Sequence, residues 1–509
     1  MRTWLLRFGL VLPAVVAMAL TSIPANACNE TNPAAAEAGH AHAAPAAAAA
    51  TAATSATRNV RHLANLPDAA GAIAINFMRY GHRDVMFVAG QFGLKAYDIT
   101  RDPARPQFLS EVSMPGMWQM EDTELDPVRK LVFLARDPRA FGGNVLTGES
   151  GIYTVDASRP EALAVISYVQ VPAGHTTSCV NRCQYLWTGG PAKSSTMPAE
   201  WGGRPIWVTD VRNPRNPIVF PDPIDLGRND GKTDYSHDVQ VDAMGIAWVS
   251  GRGGTRGYWT EGRHRDPLTG EVRWATPLDP IPYGGGGMTA DIVGDEDGGF
   301  EHNAIRPVGK DAPKGDSRYR DGQLLLSTEE DFGPAAEACS KRGQFAISSL
   351  EGSFNGESWK STPANKFRLK NVGTWNPFQK EGSRPTPTGS CSAHYFDLDG
   401  SIVSYAWYAE GTRFLDISDP ENPVQVAYWR PDNTNVWAAE NHKGYIYTSD
   451  ANRGVDVLRL KTKAKAAGRR GQEISAPAMS RQQLARVAKA AKRWKADPAT
   501  AGLCLLQVS

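Results

Sequence analysis

"TRFLDISDPENPVQVAYW", residues 412–429, is an apolar run ending in Asp416, a turn containing Pro420 and Pro423, and a second apolar run. An aspartate at a strand end accepts hydrogen bonds from the amides that follow it, and the prolines force a turn before the next strand. The unit recurs as "LKAYDITRDPARPQFLSEV" with Asp98, "IYTVDASRPEALAVISYV" with Asp156, "IWVTDVRNPRNPIVF" with Asp210 and a shortened "GVDVLRL" with Asp456. Self-similarity at roughly 40–60 residues, with several strands per unit, signals a β-propeller. The aspartates therefore read as structural.

Composition agrees. A chain of 509 residues exceeds the size at which one layered core usually stops growing. Its 49 glycines, 35 prolines and 9% aromatic residues, with few long helical patterns, describe many short strands joined by turns. Seven inner hairpins can be aligned by turn and second strand. They begin at Asn76, Glu121, His175, His237, His302, His394 and Asn435, and the fourth and sixth share an H-x-x-x-x-D spacing, His237 to Asp242 and His394 to Asp399. The fold class expected is all-β, a seven-bladed β-propeller over residues 66–462. The units near 237–290 and 302–375 carry insertions and lose the Asp-Pro signature.

The D-x-x-x-P-x-x-P pattern after an apolar strand, most intact at residues 206–220 and 412–429, resembles the LVIVD repeat of secreted and surface bacterial proteins. That resemblance spans most of residues 70–460 and implies a β-propeller. It implies no single activity.

Outside the ring, Arg2 and Arg7, the apolar run from Phe8 to Leu20 and "SIPANA" ending at Ala27 have the layout of a secretory signal peptide, residues 1–27. Simple secretion or a periplasmic or cell-surface location follows. A lipid anchor on Cys28 is the alternative, although Ala25 stands where lipid modification favours Leu. Residues 28–65, Ala- and Pro-rich and including His40 and His42, read as a disordered linker. Residues 463–509, with "KTKAKAAGRRG" leading into "SRQQLARVAKAAKRWKAD", read as a basic tail forming a short C-terminal helix. No later apolar segment reaches the ~20 residues that span a bilayer. Formal charge is +1, with 55 basic against 54 acidic residues, so no nucleic-acid partner is expected and the chain reads as a monomer.

Export permits disulfides. Cys179 with Cys183 is expected as a clip across a turn, a C-x-x-x-C metal pair being the other reading, and Cys339 with Cys391 is expected as a second bridge.

In a propeller the innermost strands line a central channel, so their first residues fall near the axis. His175, His237, His302, His394 and Glu121 are then a metal-ligand set, with Asn76, Asn435 and Arg252 lining the channel. Neutral imidazole with carboxylate suits a transition metal ion, here copper, iron or zinc, whereas calcium would need mostly oxygen donors. Glu121 serves as ligand or base. Glu329, Glu330 and Tyr408, in loops following histidine-bearing strands, complete the catalytic candidates beside more peripheral charges such as Asp137 and Arg139. No G-x-S-x-G, Walker loop, Rossmann fingerprint or H-E-x-x-H motif occurs.

The architecture and histidine clustering resemble the copper-containing propellers of the methanethiol oxidase and selenium-binding group, a resemblance that does not extend to substrate. The functional expectation is a metal-dependent oxidoreductase or hydrolase acting on a small molecule. The other reading is a non-enzymatic extracellular binding or scaffold protein whose propeller face holds protein or polysaccharide and whose histidines only pack.

Overall fold

A computed structural model describes residues 55–114, 121, 123–137, 150–190, 205–226, 235–252, 254–267, 269–286, 301–330, 343–350, 369–376, 392–461 and 473–475. Seven antiparallel sheets follow one another along the chain as blades of a β-propeller. Their first strands are Ala72–Tyr80, Glu124–Asp126, Thr177–Val180, Tyr235–Val241, Glu301–Ile305, Phe396–Asp399 and Val436–His442. The seventh lies against the first, which closes the ring. Among the described residues helix is confined to single turns such as Ser317–Arg320; none is long and apolar enough to cross a membrane.

Closure comes from a strand that the sequence pattern had assigned to the linker. Val60–Leu66 pairs with Gly454–Leu460 as the fourth strand of the seventh blade. Ser55–Thr57 and Glu473–Ser475 extend the sixth blade, pairing with each other beside Val424–Arg430. The ordered fold therefore starts earlier than residue 66. Val60, Leu63 and Leu66 supply too short an apolar pattern to stand out from the alanine-rich stretch before them. The expected signal peptide and C-terminal helix, like Cys339 and Cys391, lie outside the described residues.

The recurring aspartate acts as the sequence implies. Asp98 accepts from the Thr100 amide at 2.8 Å, and Asp156, Asp210 and Asp416 accept from the Ser158, Arg212 and Ser418 amides at 2.9 Å. The H-x-x-x-x-D spacing has the same kind of origin at its aspartate end: Asp242 caps the hairpin corner by accepting from the Met244 and Ile246 amides. The two divergent units keep their blades and place insertions between strands. In the fourth, the ribbon Arg263–Arg265 with Val272–Trp274 separates the third strand from the fourth. In the fifth, residues 306–323 separate the first from the second.

Packing explains the ring. Seven apolar layers lie one between each pair of neighbouring blades. Phe87, Ala89 and Leu94 meet Val132, Leu134 and Val155 between blades one and two, for example, and Tyr97 and Val88 meet Tyr447 and Val455 between blades one and seven. Each blade thus buries both faces. Truncating Phe87 opens a cavity in one layer, and Phe87→Ala is expected to cost about 3–5 kcal/mol in denaturant unfolding.

Asp98, Asp156 and Asp210 are held below the ordinary carboxylate range. Burial opposes ionisation of Asp98 but is outweighed by the Thr100 and Arg83 hydrogen bonds; the Ser158 amide dominates at Asp156 and the Arg212 guanidinium at Asp210. Folded values below the unfolded value of about 3.9 mean stability fully present above that pH and lost as pH falls through the folded values. Melting temperature measured from about pH 5 down to about pH 2 should therefore fall less steeply in an Asp98→Asn/Asp156→Asn/Asp210→Asn variant than in the wild type.

Candidate metal centre

The first strands begin with an irregularity. Pairing slips between Ala72 and Ala74, Ser236 and Val239, Glu301 and Asn303, and Val436 and Ala438. A bulge of this kind re-aims a side chain out of the strand's alternation. The skipped positions include Ile73, His237, His302 and Trp437. His394 and His175 stand at the same level, their amides donating to the Ala406 and Gly189 carbonyls at the ends of the second strands. Glu121 lies two residues before Thr123 at the corresponding point of the second blade.

Five of the side chains expected at the axis come together there. Glu121 is 2% exposed and His175, His237, His302 and His394 are 0% exposed. Glu121 Oε2 lies 3.0 Å from His237 Nε2 and 3.1 Å from His302 Nε2; Oε1 lies 3.4 Å from His175 Nε2 and 3.6 Å from His394 Nε2. His175 Nε2 and His237 Nε2 are 3.0 Å apart.

The outer nitrogens explain how the rings are aimed. His237 Nδ1 donates to the His302 carbonyl at 2.8 Å, and His394 Nδ1 donates to the Trp437 carbonyl at 2.5 Å. A carbonyl only accepts, so each Nδ1 carries a proton and each ring turns its Nε2 edge to the axis. His175 differs, because its Nδ1 meets Asp137 Oδ2 at 2.9 Å, both groups being fully buried. Burial holds His237 below its ordinary value, and burial with the neighbouring His394 and His237 holds His302 well below it. Imidazole nitrogens and the Glu121 carboxylate 3.0–3.6 Å apart bring nitrogen and oxygen donors to one point. The donor set fits a transition metal ion, and two triads qualify as holders: Glu121, His237 and His302, and His302, Glu330 and His394.

Two expected members stand elsewhere. Asn76 lies three residues beyond Ile73 on the first strand, with its side chain donating to the Thr123 carbonyl. Asn435 lies two residues before Trp437, its carbonyl accepting from the Ala451 amide. The first strand of blade one runs nine residues to its turn, so a count back from the turn stops short at Asn76, whereas in blade seven the count runs past Trp437 to Asn435. Ile73, Trp437, Tyr408 and Ala451 instead form an apolar cluster that closes this side of the axis. Arg252 ends the second strand of the fourth blade opposite Tyr235, and its side chain lies outside the described residues.

Glu330 and Tyr408 stand beside the cluster. The Tyr408 hydroxyl donates to Glu330 Oε1, the Tyr408 ring centre is 4.9 Å from that of His394, and Glu330 Oε2 is 3.8 Å from His302 Nε2. Tyr408 occupies the left-handed region with φ 33°, a strained setting for a tyrosine. Burial with Glu330 and Glu121 pushes its hydroxyl well above the ordinary value, so it is a donor. Glu329 points toward the third strand, accepting from the Gly343 amide at 3.1 Å. Behind His237, burial pushes the Asp238 carboxyl up to about 7, and the Tyr395 hydroxyl reaches it from the sixth blade at 3.2 Å.

Sequence reasoning named Asp137 only as a peripheral loop charge; its pairing with His175 had no local signal. The cysteine clip is present: Cys179 and Cys183 form a disulfide across the left-handed turn of residues Asn181 and Arg182, which excludes the metal-pair reading.

No family model and no curated protein matches the chain. Solved structures match at low similarity. The periplasmic gluconolactonase of Pseudomonas aeruginosa is 14% identical with a TM-score of 0.45, over 76% of this chain and 93% of that one. The β-propeller domain of Cps50 (Swd1) from Myceliophteria thermophila is 11% identical with a TM-score of 0.41, over 76% and 100%. A Lactobacillus plantarum protein is 9% identical with a TM-score of 0.44, over 76% and 91%. Likeness at this level extends to neither substrate nor chemistry.

A carboxylate on Nδ1 raises the donor strength of an imidazole, and losing such a partner typically costs 10–100-fold in metal affinity. Asp137→Asn is expected to weaken cobalt(II) binding by about that factor, read by titration, with melting temperature little changed.

Proposed function

We propose that this propeller is an exported enzyme of the LVIVD repeat group whose axis holds a transition metal, and that it acts on a small molecule as a metal-dependent hydrolase or oxidoreductase. The observation that carries the reading is the set of imidazoles whose Nδ1 protons are tied to backbone carbonyls or to Asp137 while their Nε2 atoms converge on Glu121. Histidines kept for packing need the outer hydrogen bond but not Nε2 atoms of neighbouring blades 3.0 Å apart beside a carboxylate.

The residues would share the work as follows. His175, His237, His302, His394 and Glu121 would hold the ion, Asp137 would fix the tautomer of His175, and Tyr408 would orient Glu330. When bound, zinc supplies Lewis acidity and an acidified water, while copper or iron supplies electron transfer. Glu330, with Oε1 taken by Tyr408 and Oε2 turned toward His302, is placed to accept a proton from a substrate or water at the axis. The blocked sector of Ile73, Trp437 and Tyr408 confines that chemistry to the side of blades two to six.

Elemental mass spectrometry of the mature protein, purified without chelator, is expected to find copper, iron or zinc, and a His237→Ala/His394→Ala variant with unchanged circular dichroism is expected to lose it. Hydrolytic and oxidative substrate screens with the loaded protein follow from the ion found. A wild type that neither contains nor takes up metal would leave the extracellular binding or scaffold role, with protein or polysaccharide partners, as the reading.

A further inference from the structure

The insertion in the fourth blade builds a pocket away from the axis. Trp259 ends the third strand of that blade, Thr255–Trp259, and pairs with Ile246 on one side and with Ile281 of the fourth strand, Ile281–Gly286, on the other. This is the end of the blade opposite His237, whose neighbour Ser236 pairs with Gly251. Between the two strands the chain turns back at Gly262, where φ is 85° and a Cβ would stand 2.8 Å from His264 Nε2. The turn lays the His264 ring flat on Trp259, with centres 3.9 Å apart and planes 6° from parallel, and His264 Nε2 donates to the Glu261 carbonyl at 3.0 Å.

Tyr283 meets the same indole edge-on, with centres 5.6 Å apart and planes at 87°. Its hydroxyl accepts from Arg306 at 2.9 Å, and Arg306 is fixed in turn by Asp242 at 2.7 Å. Together with Pro282, Leu350 and Arg265, these rings line a cavity of about 380 Å³. Small-molecule sites run from roughly 300 to 1,000 Å³. Walls already held in place spare a ligand the cost of ordering them.

The lining selects the occupant. Trp259, Tyr283 and Leu350 pack against the apolar layer between the fourth and fifth blades and are only half-buried here. Arg265 is exposed and supplies the charge. Arg273 engages Asp266 and Asp279, and Arg182 engages Glu261, whereas Arg265 donates to the Gly270 carbonyl at 2.5 Å. Flat apolar rings suit aromatic walls, and a guanidinium takes a carboxylate through two parallel N–H bonds. A sugar would set hydroxyls against Leu350, Pro282 and the indole, where unpaired polar groups are costly.

We infer that this pocket binds a small aromatic carboxylate, its ring against Trp259 and Tyr283 and its carboxylate on Arg265. The site shares no residue with the axial cluster, so it stands or falls independently of the metal reading.

Calorimetric titration of the full chain, stripped of metal with chelator, with sodium naphthoate tests the assignment. Saturable binding is expected, with a dissociation constant on the order of 1 mM or lower, and the uncharged naphthamide is expected to bind about fivefold more weakly. Absence of saturable naphthoate binding overturns the site. Equal affinity for the amide overturns the carboxylate assignment, and glucuronate bound as tightly as naphthoate overturns the aromatic one. Arg265→Gln, at an exposed position where folding is little affected, is expected to lose about fivefold in naphthoate affinity and to bind naphthamide as the wild type does. Unchanged naphthoate affinity in that variant, or equal weakening of both compounds, overturns the role given to Arg265.

Discussion

A four-stranded blade with two apolar faces cannot stand alone in water, and everything else in this protein follows from covering both faces of every blade at once. Stacking blades covers faces only until the stack ends. Bending it into a ring removes the ends, and here seven apolar layers fill the seven gaps. The last gap is sealed by residues far apart in sequence, because Val60–Leu66 completes the blade that Val436–His442 begins. Ring closure is therefore a long-range contact, with a loop-closure cost that the two final apolar layers must offset.

The same geometry creates the axial site. Seven strand starts must meet around a narrow axis, where no apolar layer reaches and backbone groups still need partners. At several blades the strand bulges at this point, freeing a carbonyl that an imidazole from the preceding blade can use. His237 bonds the His302 carbonyl and His394 bonds that of Trp437, so the ring position of one blade orients that of its neighbour. Where the chain places Ile73 and Trp437 instead, apolar side chains pack across the axis. The result is a lopsided centre, polar over blades two to six and apolar over seven and one.

How much of this was legible from residues alone follows from what each signal measures. Asp98, Asp156, Asp210 and Asp416 announce a local turn, a hydrogen bond two residues long, so the repeat and the blade count could be read directly. The four histidines and Glu121 were legible because they sit at one structural level at the start of their blades. Asn76 and Asn435 were misread because a register counted from the turn cannot see strand length or the bulge at the strand start: it falls short of Ile73 in blade one and overshoots Trp437 in blade seven. Asp137 was seen as a surface charge, since its contact with His175 spans 38 residues and two blades. Val60–Leu66 was hidden for the same reason: its role depends on a strand nearly 400 residues away.

Repeats made by duplication carry a residue to every blade whether or not it is useful there, so a shared histidine alone says little. The distinction lies between the two nitrogens. A packing role accounts for Nδ1, which meets a carbonyl or carboxylate at His175, His237 and His394, and it would be served as well if the opposite edge of the ring lay against apolar side chains. Here that edge faces other imidazoles and the Glu121 carboxylate at 3.0–3.6 Å, nitrogen and oxygen donors gathered at one point. A scaffold whose stability rests on seven apolar layers holds these donors at fixed separations, which is what binding a metal ion at the axis would require.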